Sequence, residues 1–203
     1  MPGYPDSHSR FGIRWTVLTA VGLAAGFAVG FGLGAPTEAI VGMMLVITVI
    51  GALLGGVSGA IQSFALPARV PRSISWAIAT AAGMAIGLTA GTVGIEFFGF
   101  QKGNPVHEAL AIAVIGATSG LCVGFAQFWV LRGRVAAAGL WVPASALASG
   151  LGFLIGGLIA VGLTGGFRSL AGLAIMGVAG GVLTGSFGGV VLGRLASAQP
   201  ATR

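Results

Sequence analysis

Charge is what this chain has least of. Of its 203 residues, ten are Lys or Arg and four are Asp or Glu, 7% in all, where a soluble domain carries roughly 25%. So few charges do not coat a water-facing surface, which excludes a soluble globular protein. Cysteine is as scarce: Cys122 stands alone, so no intrachain disulfide and no cysteine metal site can form. The two histidines, His8 and His107, fall on opposite sides of the membrane in the topology derived below. No pair of carboxylates lies inside an apolar run, and no serine stands near a base. An enzyme is not expected.

What the chain has is length of apolar sequence. Hydrophobic residues make up 56% and the mean hydropathy is +1.01. Trp15–Gly34, Ala39–Leu66, Trp76–Phe100, Glu108–Leu131, Trp141–Gly165 and Ser169–Gly193 are each 20 or more residues long and mostly uncharged. About 20 apolar residues of helix cross a hydrocarbon core of about 30 Å, and a helix satisfies its own backbone groups in lipid. The alternating segments of about ten residues that mark a membrane β-barrel are missing. Six transmembrane helices are predicted, the first retained as a structural member rather than removed as a secretory signal.

The net charge of +6 is explained by topology. With six spans, Arg10, Arg14, Arg69, Arg72, Arg132, Arg134, Arg194 and Arg203 share one side, and only Lys102 and Arg168 take the other, near Glu38, Glu96 and Glu108. Short basic loops stay cytoplasmic, so both termini are expected in the cytoplasm of a bacterial plasma membrane. The expected partner is the lipid bilayer, with anionic headgroups near the arginines; nucleic acid is not expected.

The sequence repeats itself. "GAIQSFALPARVPRSISWAIATAAG" from Gly59 is echoed by "GFAQFWVLRGRVAAAGLWVPASALAS" from Gly124, at an offset of 65. Gly51, Gly55, Gly59, Gln62, Leu66, Arg69, Trp76 and Thr80 match Gly116, Gly120, Gly124, Gln127, Leu131, Arg134, Trp141 and Ser145. At an offset of 61, Trp15, Thr19, Gly22 and Gly26 match Trp76, Thr80, Gly83 and Gly87, while Gly177, Gly181, Gly185 and Leu192 match Gly116, Gly120, Gly124 and Leu131, with Gly188 where glutamine stood. The chain therefore reads as one membrane domain of three tandem helical hairpins, at about 11–67, 72–132 and 137–195, between short tails 1–10 and 196–203. Each hairpin is a tryptophan helix followed by a glycine helix. Two helices return the chain to its starting side, so successive units share an orientation and relate by an axis along the membrane normal. A closed pseudo-threefold ring is preferred to an open row.

At 100° per residue, Gly51, Gly55, Gly59, Gln62 and Leu66 fall within roughly 80° of one another around their helix. Small residues four apart let helix backbones approach closely in lipid. Gly51, Gly55, Gly59, Gly116, Gly120, Gly124, Gly177, Gly181 and Gly185 are therefore read as helix-packing stripes that face small-residue stripes on the tryptophan helices. Gln62 and Gln127 share that face; each is read as bonding a neighbouring helix, with a polar path or a bound headgroup or cofactor as the alternative. Trp15, Trp76 and Trp141 open their helices on the basic side and are read as interface anchors. Arg69, Arg72, Arg132 and Arg134 set cytoplasmic topology. Glu96, His107 and Glu108 flank one outer loop and form the only clustered titratable groups; a loop cap is favoured there over a proton or cation site. No metal is expected, and no cofactor is assigned.

The run glycine helix, Q-x-x-x-L-R, basic turn, then W with alanine and glycine resembles a repeat of uncharacterised bacterial multi-pass membrane proteins, a resemblance that implies no activity. The first copy departs from it at Pro67, where the second has Arg132. Three hairpins are also similar in plan to the mitochondrial carriers, but the P-x-[D/E]-x-x-[K/R] signature is missing after the odd-numbered helices. Two functions are carried forward. The first is a non-catalytic scaffold or accessory subunit, packing through its glycine stripes against itself, as a homo-oligomer, or against a membrane-protein partner. The second is a small-solute or ion transporter or channel with a path along the pseudo-threefold axis.

Overall fold

The computed structural model describes residues 6–34, 42–66, 74–99, 105–164 and 169–197. They form six helices: α1 (Asp6–Gly34), α2 (Met43–Ser63), α3 (Ile74–Phe97), α4 (Pro105–Leu131), α5 (Trp141–Thr164) and α6 (Leu170–Ser197). Among the described residues there are no strands, and all six helices are long and apolar enough to cross a membrane. The fold is that of an all-helical membrane protein.

Local chemistry places the helix ends. Pro105 is the first residue of α4 and Pro143 lies in the first turn of α5, where a missing N–H costs no helical bond. Between α4 and α5 the chain reverses within a few residues. Arg132 N–H donates to Phe128 O at 2.7 Å and Val135 N–H to Leu131 O at 3.1 Å. Gly133 then takes φ +76°, and Ala137 enters a 3-10 turn at Ala138–Leu140 from φ 52°. Glycine adopts the first of these without steric cost.

Each helix packs on its two neighbours in the order α1, α2, α3, α4, α5, α6 and back to α1. The ring is closed, and its closing seam joins the first helix to the last. Ile13, Val17, Val21, Ile78, Ile86, Leu147, Leu151, Val178 and Val190 lie exposed on the outside, a perimeter suited to lipid.

The seams are of two kinds. Between one hairpin and the next, Gly51, Gly55 and Gly59 of α2 press on Ala77, Thr80, Ala81, Met84 and Ala85 of α3. In the corresponding places Gly116, Gly120 and Gly124 press on α5, and Gly177, Gly181 and Gly185 on α1. A Cβ on Gly59 would lie 2.7 Å from Thr80 Cβ, on Gly124 2.8 Å from Ser145 Cβ, and on Gly185 3.0 Å from Thr19 Cβ. Within a hairpin the tryptophan helix supplies the glycines instead: Gly22, Gly26 and Gly30 meet Ile50, Leu54 and Ser58, and Gly83, Gly87 and Gly91 meet Val123, Ser119 and Ile115. The nine glycines of the even-numbered helices thus meet mostly small residues of the tryptophan helices, among them Ala77, Thr80, Ala81 and Ala85 on α3, Ser145 and Ser149 on α5, and Thr16, Ala20 and Ala24 on α1. In the third hairpin glycine meets glycine, Gly152 and Gly156 of α5 lying against Gly180 of α6.

Six helices in a ring leave an axis to fill. At the arginine end Leu66, Leu131 and Leu192 are buried together with Trp15, Trp76 and Trp141, joined by Val135 and Ala138. At the other end a second apolar cluster contains Phe27, Leu88, Phe153, Ile50, Ile112, Leu173 and Met176. Polar side chains lie between the two clusters.

Candidate functional site

The three tryptophans that begin α3, α5 and, nine residues into its helix, α1's membrane-embedded part converge on the axis. Their ring centroids form a triangle with sides of 5.9 Å (Trp15–Trp76), 6.2 Å (Trp15–Trp141) and 6.4 Å (Trp76–Trp141). All three are buried, Trp76 completely. The interface-anchor expectation is corrected for these residues: they point into the ring. The axial space takes large side chains, and for Trp76 and Trp141 glutamine supplies an acceptor for the indole N–H, so burial leaves those two groups satisfied. The tryptophan on the outer surface is Trp129, 50% exposed, with the Arg132 guanidinium 3.7 Å from its ring centroid. The repeat does not mark Trp129, because its matching positions hold Phe64 and Val190 rather than tryptophan. Its position three residues before a basic turn was the signal available.

Gln62 and Gln127 sit just inside the tryptophan triangle. Trp141 Nε1–H donates to Gln127 Oε1 at 2.8 Å, and Gln127 Nε2–H donates to Thr80 Oγ1 at 2.9 Å. Thr80 in turn donates to Trp76 O at 2.8 Å. One carboxamide thus ties α4 to both α3 and α5. Gln62 repeats the arrangement with longer bonds, accepting from Trp76 Nε1–H at 3.3 Å and donating to Thr19 Oγ1 at 3.4 Å. Gln127 is buried, Gln62 half-buried.

Beneath the indoles lies a cavity of about 50 Å³, lined by Thr19, Ser58, Gln62, Thr80, Gln127, Ser145, Ser149 and Thr184 together with Trp15, Trp141, Leu23, Met84, Val123, Ala148 and Phe153, so that most of its surface is apolar. No ionisable side chain lines it. A larger cavity of about 370 Å³ follows toward the opposite end, lined by Phe27, Phe31, Ile47, Ile50, Leu88, Thr92, Ile112, Ile115, Phe153, Leu173 and Met176. Phe153 lines both, and its ring centroid is 5.8 Å from that of Phe27. The three indoles are thus followed by the small cavity and, with Phe153 lining both, by the apolar one.

The remaining sequence candidates lie elsewhere. Glu96 is exposed near the end of α3, and His107 and Glu108 are half-buried in the first turn of α4. Twenty residues of helix separate Glu96 from Trp76, about 30 Å, so the structure does not bring these groups to the glutamines. Among the described residues no three His, Cys, Asp or Glu are placed to hold a metal ion. Arg14 Nη2 donates to Phe64 O at 2.6 Å and Arg134 Nη1 to Val130 O at 2.6 Å, so both help to terminate helices on the arginine side. Arg69 and Arg72, like Glu38, Lys102 and Arg168, lie outside the described residues.

Comparison with family models, with curated proteins and with solved structures gives no match.

Proposed function

We propose that this protein is a gated axial pathway for a small uncharged solute, a transporter or channel built from three copies of one hairpin. The polar side chains of the small chamber carry this reading. Hydroxyl and amide side chains are concentrated on the axis, where a path would run, and while Ser58, Gln62, Thr80, Gln127 and Thr184 are bonded within the protein, Ser145 Oγ is left without a partner. Hydroxyls on the outer face would serve no solute.

Two closures give the chamber the form of a gate. The tryptophan and leucine layers cover the arginine end, and Phe153 stands between the small cavity and the larger apolar one. Apolar constrictions of this kind open and close by wetting and dewetting. The lining lacks charge, so an ion would lose hydration without compensation, which favours a neutral solute over an ion.

The scaffold reading, a surface that packs against a partner through the glycine stripes, is the less favoured. All nine packing glycines of the even-numbered helices press on neighbours within the chain, leaving no such stripe for a partner. We place the arginine end in the cytoplasm, following the excess of arginine in its short connections, and read the protein as non-catalytic.

Reconstitution into liposomes tests the pathway. Stopped-flow light scattering should show solute entry faster than in protein-free vesicles for at least one neutral solute of a few heavy atoms, and faster again after Trp76→Ala. Identical traces for protein-free, wild-type and Trp76→Ala vesicles would sink the proposal. A co-purified stoichiometric membrane protein without flux would restore the scaffold.

A further inference from the structure

The ring has three positions for a carboxamide and only two glutamines. At the third, Gly188 occupies the place of Gln62 and Gln127, Trp15 that of Trp76 and Trp141, and Ser145 that of Thr19 and Thr80. The consequences are visible in the structure. Ser145 Oγ is buried with no hydrogen-bond partner, and the residue is 92% buried, given its 8% exposure. The Trp15 indole nitrogen makes none of the bonds formed by its two counterparts and lies 3.4 Å from where a Cβ on Gly188 would stand. Trp15, Ser145 and Gly188 all line the 50 Å³ chamber.

Gly188 also differs from the three stripe glycines of its helix. A Cβ on Gly177, Gly181 or Gly185 would meet backbone at 2.9, 2.5 and 2.8 Å, whereas on Gly188 the first contacts are indole atoms at 3.4 Å. Helix packing demands the first three and does not demand Gly188. The missing side chain leaves space on the axis rather than a tighter seam.

We infer that this position is a binding site for a small neutral primary amide or urea. The neighbouring positions display the chemistry required: a carboxamide oxygen accepts an indole N–H, and the carboxamide nitrogen donates to a hydroxyl on the adjoining helix. Indole N–H is a donor only, so the ligand must accept at Trp15. The serine hydroxyl accepts or donates, and an amide N–H satisfies it as Gln127 satisfies Thr80. A cation is repelled by the indole N–H and an anion finds no positive group, since the lining is uncharged. Size agrees. A water needs about 10–15 Å³ of such space, so the chamber takes a few non-hydrogen atoms, and urea and acetamide have about four.

The site deepens the transport reading by naming a solute class, and it shares with that reading only the chamber itself. Its test is therefore equilibrium binding. The wild-type protein with 15N-indole-labelled tryptophan, in lipid nanodiscs, is titrated with urea and with acetamide at concentrations below those that denature. The Trp15 indole resonance should shift saturably, Trp76 and Trp141 less, and Trp129 only in proportion to concentration. Gly188→Gln should abolish the saturable shift and move the Trp15 resonance toward those of Trp76 and Trp141. Ser145→Ala, a smaller change, should weaken binding by about two- to tenfold, the range expected for one hydrogen bond. Shifts that are linear for all four indoles show a chamber that takes water alone and overturn the inference. A saturable shift unaltered by both substitutions also overturns it. Binding without liposome flux would leave the site standing and remove the pathway; flux without binding would do the reverse.

Discussion

Trp141 donates its indole N–H to the Oε1 of Gln127 at 2.8 Å, and both residues are buried on the axis of the helical ring. Fourteen positions separate them in the chain, across a basic turn that lies outside the apolar spans. The bond therefore holds the end of one hairpin to the start of the next. Gln62 and Trp76 make the same connection more loosely, and the third hairpin lacks it. Stability, sealing and solute access should all follow this graded asymmetry.

Replacement of Gln127 by leucine removes two buried hydrogen bonds and leaves the Trp141 N–H without its acceptor. Interhelical bonds of this sort contribute about 0.6–1.7 kcal/mol in membranes, and an orphaned buried donor costs about 1–3 kcal/mol. Gln127→Leu should therefore destabilise by about 1–2 kcal/mol. Gln62→Leu, with its bonds at 3.3 and 3.4 Å and its side chain half-buried, should cost less. Unfolding of both variants in the same detergent checks the order. Equal losses would show that the two amides do not differ in strength.

Two glycines on even-numbered helices should respond oppositely to alanine. At Gly120 a Cβ would run into Ser145 O and the Ser149 side chain, and a backbone carbonyl does not move aside as a flexible side chain does. Overpacking of this kind costs about 1–3 kcal/mol. Gly188→Ala meets ordinary van der Waals contact at 3.4 Å and gains helix propensity of about 1 kcal/mol, so stability should hold or rise. Melting temperatures of the two variants decide the matter.

Trp76 is completely buried in the tryptophan layer. Its truncation to alanine should lower stability by about 3–5 kcal/mol and open the arginine end of the chamber. Liposomes carrying the variant should pass small neutral solutes faster than wild type under conditions in which the protein still runs as a single folded species.

Trp129 should be the indole that meets lipid. Brominated acyl chains quench tryptophan by contact, so quenching should fall by most of its amplitude in Trp129→Phe and little in Trp15→Phe or Trp141→Phe. A dominant loss on removing Trp15 or Trp141 would mean that the axial triangle opens in the bilayer.

Much of the architecture was legible in the chain. Six apolar runs gave six helices, because hydrocarbon leaves a backbone few other ways to satisfy its polar groups. The recurrence of Gly51, Gly55 and Gly59 at Gly116, Gly120, Gly124 and again at Gly177, Gly181, Gly185 marked one face of each even-numbered helix as a contact surface. Gln127 and Trp141, repeated as Gln62 and Trp76, were legible as recurring residues, the glutamine as an interhelical bond, but not as partners of each other. Their direction was harder to read. A tryptophan at the end of an apolar run suits the membrane surface and the bundle axis equally well by composition, and the two are told apart by which side of the helix meets a neighbour. Trp129, only twelve residues before Trp141, takes the outer position, and periodicity had no second copy with which to flag it.

By itself the sequence determined the number of spans, their alternation of type, the loss of glutamine at Gly188 and the end of the molecule that carries arginine. These depend on hydrophobicity, spacing and identity, which are local properties. Tertiary structure decided that the row of hairpins closes, that α6 meets α1 through Gly177, Gly181 and Gly185, and that the three indoles point inward to cap the small chamber. The physical reason is that a chamber on an axis is made jointly by six helices. No single helix encodes the angle at which its neighbours arrive, and only their combined packing determines which side chains share the space between them.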